Sequence, residues 1–214
     1  MVANYSNDDM IALLDGVNLS TLNCALVRTH GFMSHPRRKE TVTHNWNDDH
    51  GLEVDLGAVY FGPRLPSMEI LVWGDTLQGM KTNAEAIVNK LTATGLRHVK
   101  LPGLTGVYLL FVSEEISIER VNRGISNKQF GKIFVRFTEP HPVTRQWKTT
   151  QATPSVSLAM TITDPVWIHW GNGDILKVEA NGTYSKSYAA GVYCAVVFPT
   201  KNILTVTPTN LTEL

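Results

Sequence analysis

The chain has 214 residues, 43% of them hydrophobic, room for one large domain or two modest ones with packed cores. Nineteen basic and nineteen acidic residues cancel, which argues against a dedicated nucleic-acid binder, since such domains usually carry a basic excess. The start MVANYSNDDM has neither the basic n-region nor the apolar core of a signal peptide, and no apolar run approaches membrane-span length. The expectation is a protein made in the cytoplasm that stays soluble.

After this polar leader, Ile11–Leu14 reads as a short strand running into Asp15-Gly16, a dipeptide suited to a tight hairpin turn, and then into Val17-Asn18-Leu19. A second strand covers about Cys24 to Arg28. Residues 30–51 form a polar stretch, either a long loop or an extended hairpin, with a basic trio at Arg37, Arg38 and Lys39. His30, His35, His44 and His50 lie near Asp48 and Asp49 in the same stretch. Their spacing matches no zinc signature, so a solvated loop is expected there and no metal. Leu52, Val54 and Leu56 alternate with acids as a half-buried strand, and Met68–Trp73 reads as a strand covered on both faces.

One helix is predicted, about 82–94: Thr82 and Glu85 suit a capping box, Ala84, Ile87, Val88 and Leu91 share a stripe, and Gly95 suits the stop. Beyond it, Val107–Val112 reads as a strand apolar on both faces. Phe130–Thr138 alternates cleanly, with Ile133, Val135 and Phe137 on one side and Lys132, Phe134 and Arg136 on the other. Glu139-Pro140-His141-Pro142 ends that strand because proline has no amide hydrogen to donate. Residues 143–154 look like a linker or a connecting strand. From Ser155 onward short strands and turns suggest a small β-sandwich, with Trp167, Ile168 and Trp170 leading into the turn Gly171-Asn172-Gly173-Asp174. The fold class is therefore mainly β (α+β): a β-barrel or sandwich with one flanking helix over 1–142, then a sandwich over 155–214.

No catalytic constellation is visible. The serines lack an elbow-like glycine frame, no phosphate-cradling loop is present, and Glu114 and Glu115 are strand neighbours that point to opposite faces. Cys24 and Cys194 sit among apolar neighbours in different parts of the chain, which reads as two buried free thiols. No enzyme activity and no cofactor are expected. Trp167 and Trp170 point to opposite faces of a straight strand, so one is core and the other a rim or ligand contact. Together with Tyr184 and Tyr188 they form a candidate sugar-binding set.

The order of elements through Pro142 resembles the N-terminal domain of phage distal tail proteins, the baseplate-hub components of long-tailed phages with flexible tails. The likeness is carried by LLDGVNL, the polar insertion, EILVWG, the helix NAEAIVNKLTATG, and FVRFTEPHP, which ends in an acid before proline. This resemblance implies a tail-tube-like domain that assembles as a ring, hexameric in the family, around the DNA channel at the tail tip. Its implied partners are further copies, the tail-tube protein and other baseplate proteins, with DNA only in passing. Arg37, Arg38, Lys39, Lys132, Phe134 and Arg136 become candidate subunit contacts. The segment WIHWGNGD…Gly191-Val192-Tyr193 resembles a polycystic-kidney-disease-type (PKD-like) sandwich, with Asn172 in place of the usual acid of the turn. Such a module implies a place outside the ring and, as an alternative function, adhesion to a host-surface glycan or receptor. A tail-tube subunit proper is the third possibility. The implied location is the virion tail tip, after assembly in the host cytoplasm.

Overall fold

The computed structural model describes residues 12–39, 43–44, 53–54, 60–104, 106–121, 127–149, 155–188 and 193–214. The first part contains β1 (Leu13–Leu14), β2 (Val17–Asn18), β3 (Cys24–His30), β4 (Thr43–His44), β5 (Glu53–Val54) and β6 (Ser67–Gly74). The helix α1 (Leu77–Leu91) follows, then β7 (Arg97–Lys100), β8 (Val107–Val112), β9 (Ser117–Val121) and β10 (Gln129–Thr138). The second part comprises β11 (Arg145–Thr149), β12 (Ser155–Ile162), β13 (Val166–His169), β14 (Ile175–Val178), β15 (Gly182–Ser187), β16 (Cys194–Phe198), β17 (Ile203–Thr209) and β18 (Leu211–Glu213). The chain is mainly β with one described α-helix, and no described helix is long and apolar enough to cross a membrane.

Apart from β4 and β5, which pair with each other, the strands of the first part form one antiparallel sheet in the order β2-β1-β7-β8-β10-β6-β3, with β9 also paired to β10. The β1–β2 hairpin closes as its sequence requires: Asp15 and Gly16 both take positive φ, 50° and 78°, the backbone that lets a two-residue turn follow the twist of its strands. Strand β10 is the axis of this sheet. Ile133, Val135 and Phe137 are fully buried toward α1, while Lys132, Phe134 and Arg136 face the other way. The alternation read from the sequence is what the fold uses.

α1 begins earlier than the sequence reading placed it. Its cap is Thr76, whose hydroxyl accepts from the Gly79 amide at 3.0 Å, and Thr82 lies inside the helix. The buried stripe therefore extends back to Met80 before Ala84, Ile87 and Leu91. Gly79 in the first turn hides that start in the sequence, because glycine weakens the helical signal. The same turn lies hard against β6. A Cβ on Gly74 would fall 2.4 Å from the Met80 amide nitrogen, so Gly74→Ala must push the helix off the sheet. The expected cost is about 2–3 kcal/mol, read in thermal unfolding as a fall in Tm of roughly 5–10 °C.

Two other readings shift. β6 is covered fully on only one face, because Leu71 and Trp73 lie on the half-exposed side. The polar stretch does contain a short hairpin: Thr43 pairs with Val54 and His44 with Glu53. The expected strand at Leu52 and Leu56, and His50, Asp48 and Asp49, lie outside the described residues, as does the turn candidate Asn122-Arg123-Gly124.

The second part is a sandwich of a five-stranded sheet, β14-β13-β16-β11-β18, and a three-stranded sheet, β15-β12-β17. Its core gathers Trp147, Val156, Leu158, Val166, Ile168, Trp170 and Val197. Trp147 belongs to β11, inside the segment read as a linker or connecting strand, so residues 145–149 are a sheet strand of the second unit. A third apolar cluster, Val107 and Leu109 with Cys194, Val196 and Phe198, joins the two parts. β8 thus has both faces covered, Leu110 facing the first core and Val107 and Leu109 facing this seam. Gln146 bolts the seam: its amide accepts from the Val107 N–H and donates to the Val107 carbonyl, both at 2.8 Å.

Candidate assembly surface

The four strands β9, β10, β6 and β3 lie side by side, each antiparallel to the next. Among the described residues β3 pairs only with β6, and β9 only with β10. Both outer strands therefore present unpaired backbone N–H and C=O groups, the usual template for adding another strand. Among the described residues the sheet does not close into a barrel. Apolar surface gathers at these margins: Ile118 on β9 is 47% exposed, and Val27, at a bulge in β3, is 55% exposed.

One face of the four-stranded section is covered by α1. The other is left open by the described residues, forming a groove of about 520 Å³ lined by Arg28, His30, Leu65, Glu69, Phe134 and Arg136 among others. Its charges are largely matched: Lys132 pairs with Glu69 at 2.7 Å, and Arg136 pairs with Glu114 at 2.8 Å while its guanidinium stacks 5.5 Å from the Phe134 ring. The Arg136–Glu114 pair is more than half exposed on both sides, so it adds little to stability. What the pairing does is keep the face close to neutral.

Among the described residues, no contact joins Arg37, Arg38 or Lys39 to that face. Their side chains are exposed, and their backbone is pinned to Tyr60–Gly62 by the Lys39 N–H on the Tyr60 carbonyl and the Gly62 N–H on the Arg37 carbonyl. The acid before proline, Glu139, has a role the sequence reading missed. It is buried and held by Arg64 at 2.6 Å, and that guanidinium also donates to the Phe32 and Ser34 carbonyls. Burial raises the Glu139 pKa, and Arg64 opposes the rise. The clamp fixes the loop after β3 to the end of β10, beside the open groove.

The four aromatics of the candidate sugar set are not one surface. Trp170 is buried in the second core, and Trp167, 37% exposed, sits on the five-stranded sheet with Lys177 over its ring. Tyr184 lies on the other sheet, and Tyr188 donates its hydroxyl to the Trp170 carbonyl while stacking on Tyr193. The pairing of one core and one rim tryptophan holds, and Trp167 is the rim residue. In the turn Gly171–Asp174, the Asp174 carboxylate is taken by the Lys186 ammonium and the Asn172 amide, which hold it below the ordinary carboxylate range. An ammonium thus occupies the place a cation would need. His30 and His35 are exposed, and no group of three potential metal ligands forms among the described residues. Both cysteines are free and buried, each thiol pushed up to about 11 by desolvation.

The fold is thus a mainly antiparallel β protein in which, among the described residues, the four-stranded section of the first sheet has free margins on β3 and β9 and one uncovered face. No family model and no curated protein matches the chain. Among solved structures it is similar to the Dit protein (gp 19.1) of phage SPP1, described as a paradigm of the hub adsorption apparatus in phages infecting Gram-positive hosts. That similarity has 12% identity and a TM-score of 0.47, over 88% of this chain and 99% of the other.

Proposed function

We propose that the chain is a structural subunit of a phage tail tip, a distal-tail (baseplate hub) protein whose copies close into a ring around the DNA channel. The observation that carries this reading is the pair of free margins on one section of sheet. Four strands alternate in direction, so β3 of one copy laid beside β9 of the next continues the antiparallel order without a break. Such head-to-tail contact repeats by rotation and closes into a ring. The uncovered face then lines the channel, and its paired charges suit a conduit: unpaired cations there would hold passing phosphates.

In this reading the ring is hexameric, residues 1–142 build it, and the sandwich lies outside, with β11 assigned to the outer unit. Ring copies also contact the tail-tube and baseplate proteins, and the role is assembly, not catalysis. Arg37, Arg38 and Lys39 reach a neighbouring copy or the next ring.

Mass measurement by light scattering with negative-stain imaging tests the proposal. Wild-type protein is expected to form closed rings, and Ile118→Lys, which places a charge on the β9 margin, is expected to give monomers. Because Ile118 is half exposed, its replacement should change monomer stability by no more than about 0.5 kcal/mol. A monomeric wild type at high concentration overturns the ring, and a stable two-fold dimer points to β3–β3 or β9–β9 pairing instead.

A further inference from the structure

The seam between the two units buries two imidazoles. His98, 4% exposed, comes from β7, and His169, fully buried, comes from β13; their rings stack at 5.4 Å with planes 18° apart. His98 Nε2 lies 3.2 Å from the Cys194 carbonyl oxygen and must donate to it, while its Nδ1 has no partner among the described residues. His169 Nδ1 accepts from the Gly171 N–H at 3.3 Å, and its Nε2 has no partner among the described residues. Each bond fixes a neutral tautomer. An imidazolium has no acceptor nitrogen, so protonating His169 breaks the Gly171 bond, and protonating His98 buries an N–H with nothing to receive it.

Two acids favour the charged form of His169 but both are already taken, and the third imidazole at the seam, His141, stacks on Phe198 and has its own pKa lowered by burial. From the β1–β2 turn, Asp15 is taken by the Arg97 guanidinium at 2.9 Å and the His98 backbone N–H at 2.8 Å. From the β13–β14 turn, Asp174 is taken by Lys186. Arg97 on β7 opposes a charge on His169, while Lys100 on β7 and Lys148 on β11 act on the Cys194 thiol on β16, which burial keeps protonated. The backbone of Leu96 favours the charged form of His169 without reaching hydrogen-bond geometry to Nε2.

We propose that this seam is a proton-operated joint: proton uptake by the His98–His169 pair parts the two units along Val107, Leu109, Val196 and Phe198, pivoting at Gln146, while each unit keeps its own core.

The sign follows from which form the closed seam holds. Burial, then the neighbouring His169, depress His98 to about 3, and burial lowers His169 as well. Once wetted, both regain the ordinary value near 6.5. The closed seam is therefore fully favoured above that pH and progressively lost below it, down to about 3. Each excluded proton favours opening about tenfold per pH unit, so two give up to about a hundredfold.

The two cysteines make the test internal, because Cys194 lies in the seam cluster and Cys24 in the first core. The full chain is labelled with 4,4′-dithiodipyridine, which reacts with thiols in mild acid, and the sites are separated by peptide mass spectrometry. Rates are normalised to a free cysteine standard at each pH. The expected result is acceleration at Cys194 of at least about tenfold per pH unit below 6.5, with Cys24 unchanged, and loss of that acceleration in the double variant His98→Gln/His169→Gln. Acceleration at both thiols together, at neither, or unchanged in the double variant overturns the joint. If the double variant fails to fold, the comparison of the two thiols in the wild type decides alone.

Discussion

Arg64→Met is expected to cost about 3–5 kcal/mol at neutral pH, because removing one partner of a buried ion pair leaves the other charge uncompensated. Here the stranded group is Glu139, whose side chain is 5% exposed. The loss includes two further bonds, to the Phe32 and Ser34 carbonyls, so the loop after β3 is released at the same time. The deficit should depend on pH with a defined sign. Burial already raises Glu139 above its ordinary value, and Arg64 restrains that rise. Without Arg64 the folded chain holds the Glu139 proton more tightly than the unfolded chain does. That contribution is fully present below about pH 4.5 and lost as pH climbs through the raised folded value. Urea unfolding of variant and wild type at pH 7 and pH 5 should therefore show the gap narrowing in acid. The buried histidines contribute equally to both proteins and drop out of the difference. A gap that widens in acid would show that Glu139 is not the group left exposed to the loss.

Trp147→Ala is expected to destabilise the second unit by about 3–5 kcal/mol, the range for emptying a fully buried indole site. The side chain is completely buried, its strand lies between β16 and β18, and the Arg145 guanidinium sits 5.2 Å from its ring. Against a total of about 5–15 kcal/mol for ordinary proteins, that is a large share. Trp167→Ala is the internal contrast: more than a third exposed, it should cost about 1 kcal/mol. Urea unfolding followed by far-ultraviolet circular dichroism separates the two. Equal costs would mean that β11 is peripheral, as a linker would be.

These two residues also show where sequence reading stops. The β10 alternation, the Asp15-Gly16 hairpin and the existence of one helix were legible because each is written in neighbouring residues: a period of two, a turn dipeptide, an apolar stripe. The face bearing Lys132, Phe134 and Arg136 followed from the same period. Trp147 escaped because its strand is short and polar apart from that one ring, so periodicity had nothing to repeat. Arg64 and Glu139 meet across 75 positions, and nothing local to either names the other. His98 and His169 are hidden for the same reason, each reading alone as one histidine in a short strand. The free margins of β3 and β9 depend on strand order, which local pattern does not encode. The acid before proline is visible at Glu139, but only the fold supplies its cation.

The second unit begins with β11 and ends with β18, and those two strands are paired with each other: Trp147 opposite Glu213, Lys148 opposite Thr212 and Thr149 opposite Leu211. The first and last strands of the sandwich thus meet at a single spot, next to the Gln146 bolt. A different β module grafted at that spot would have to bring its own cover for Val107 and Leu109 on β8 and its own acceptor for His98, so the second unit is exchangeable only together with its seam.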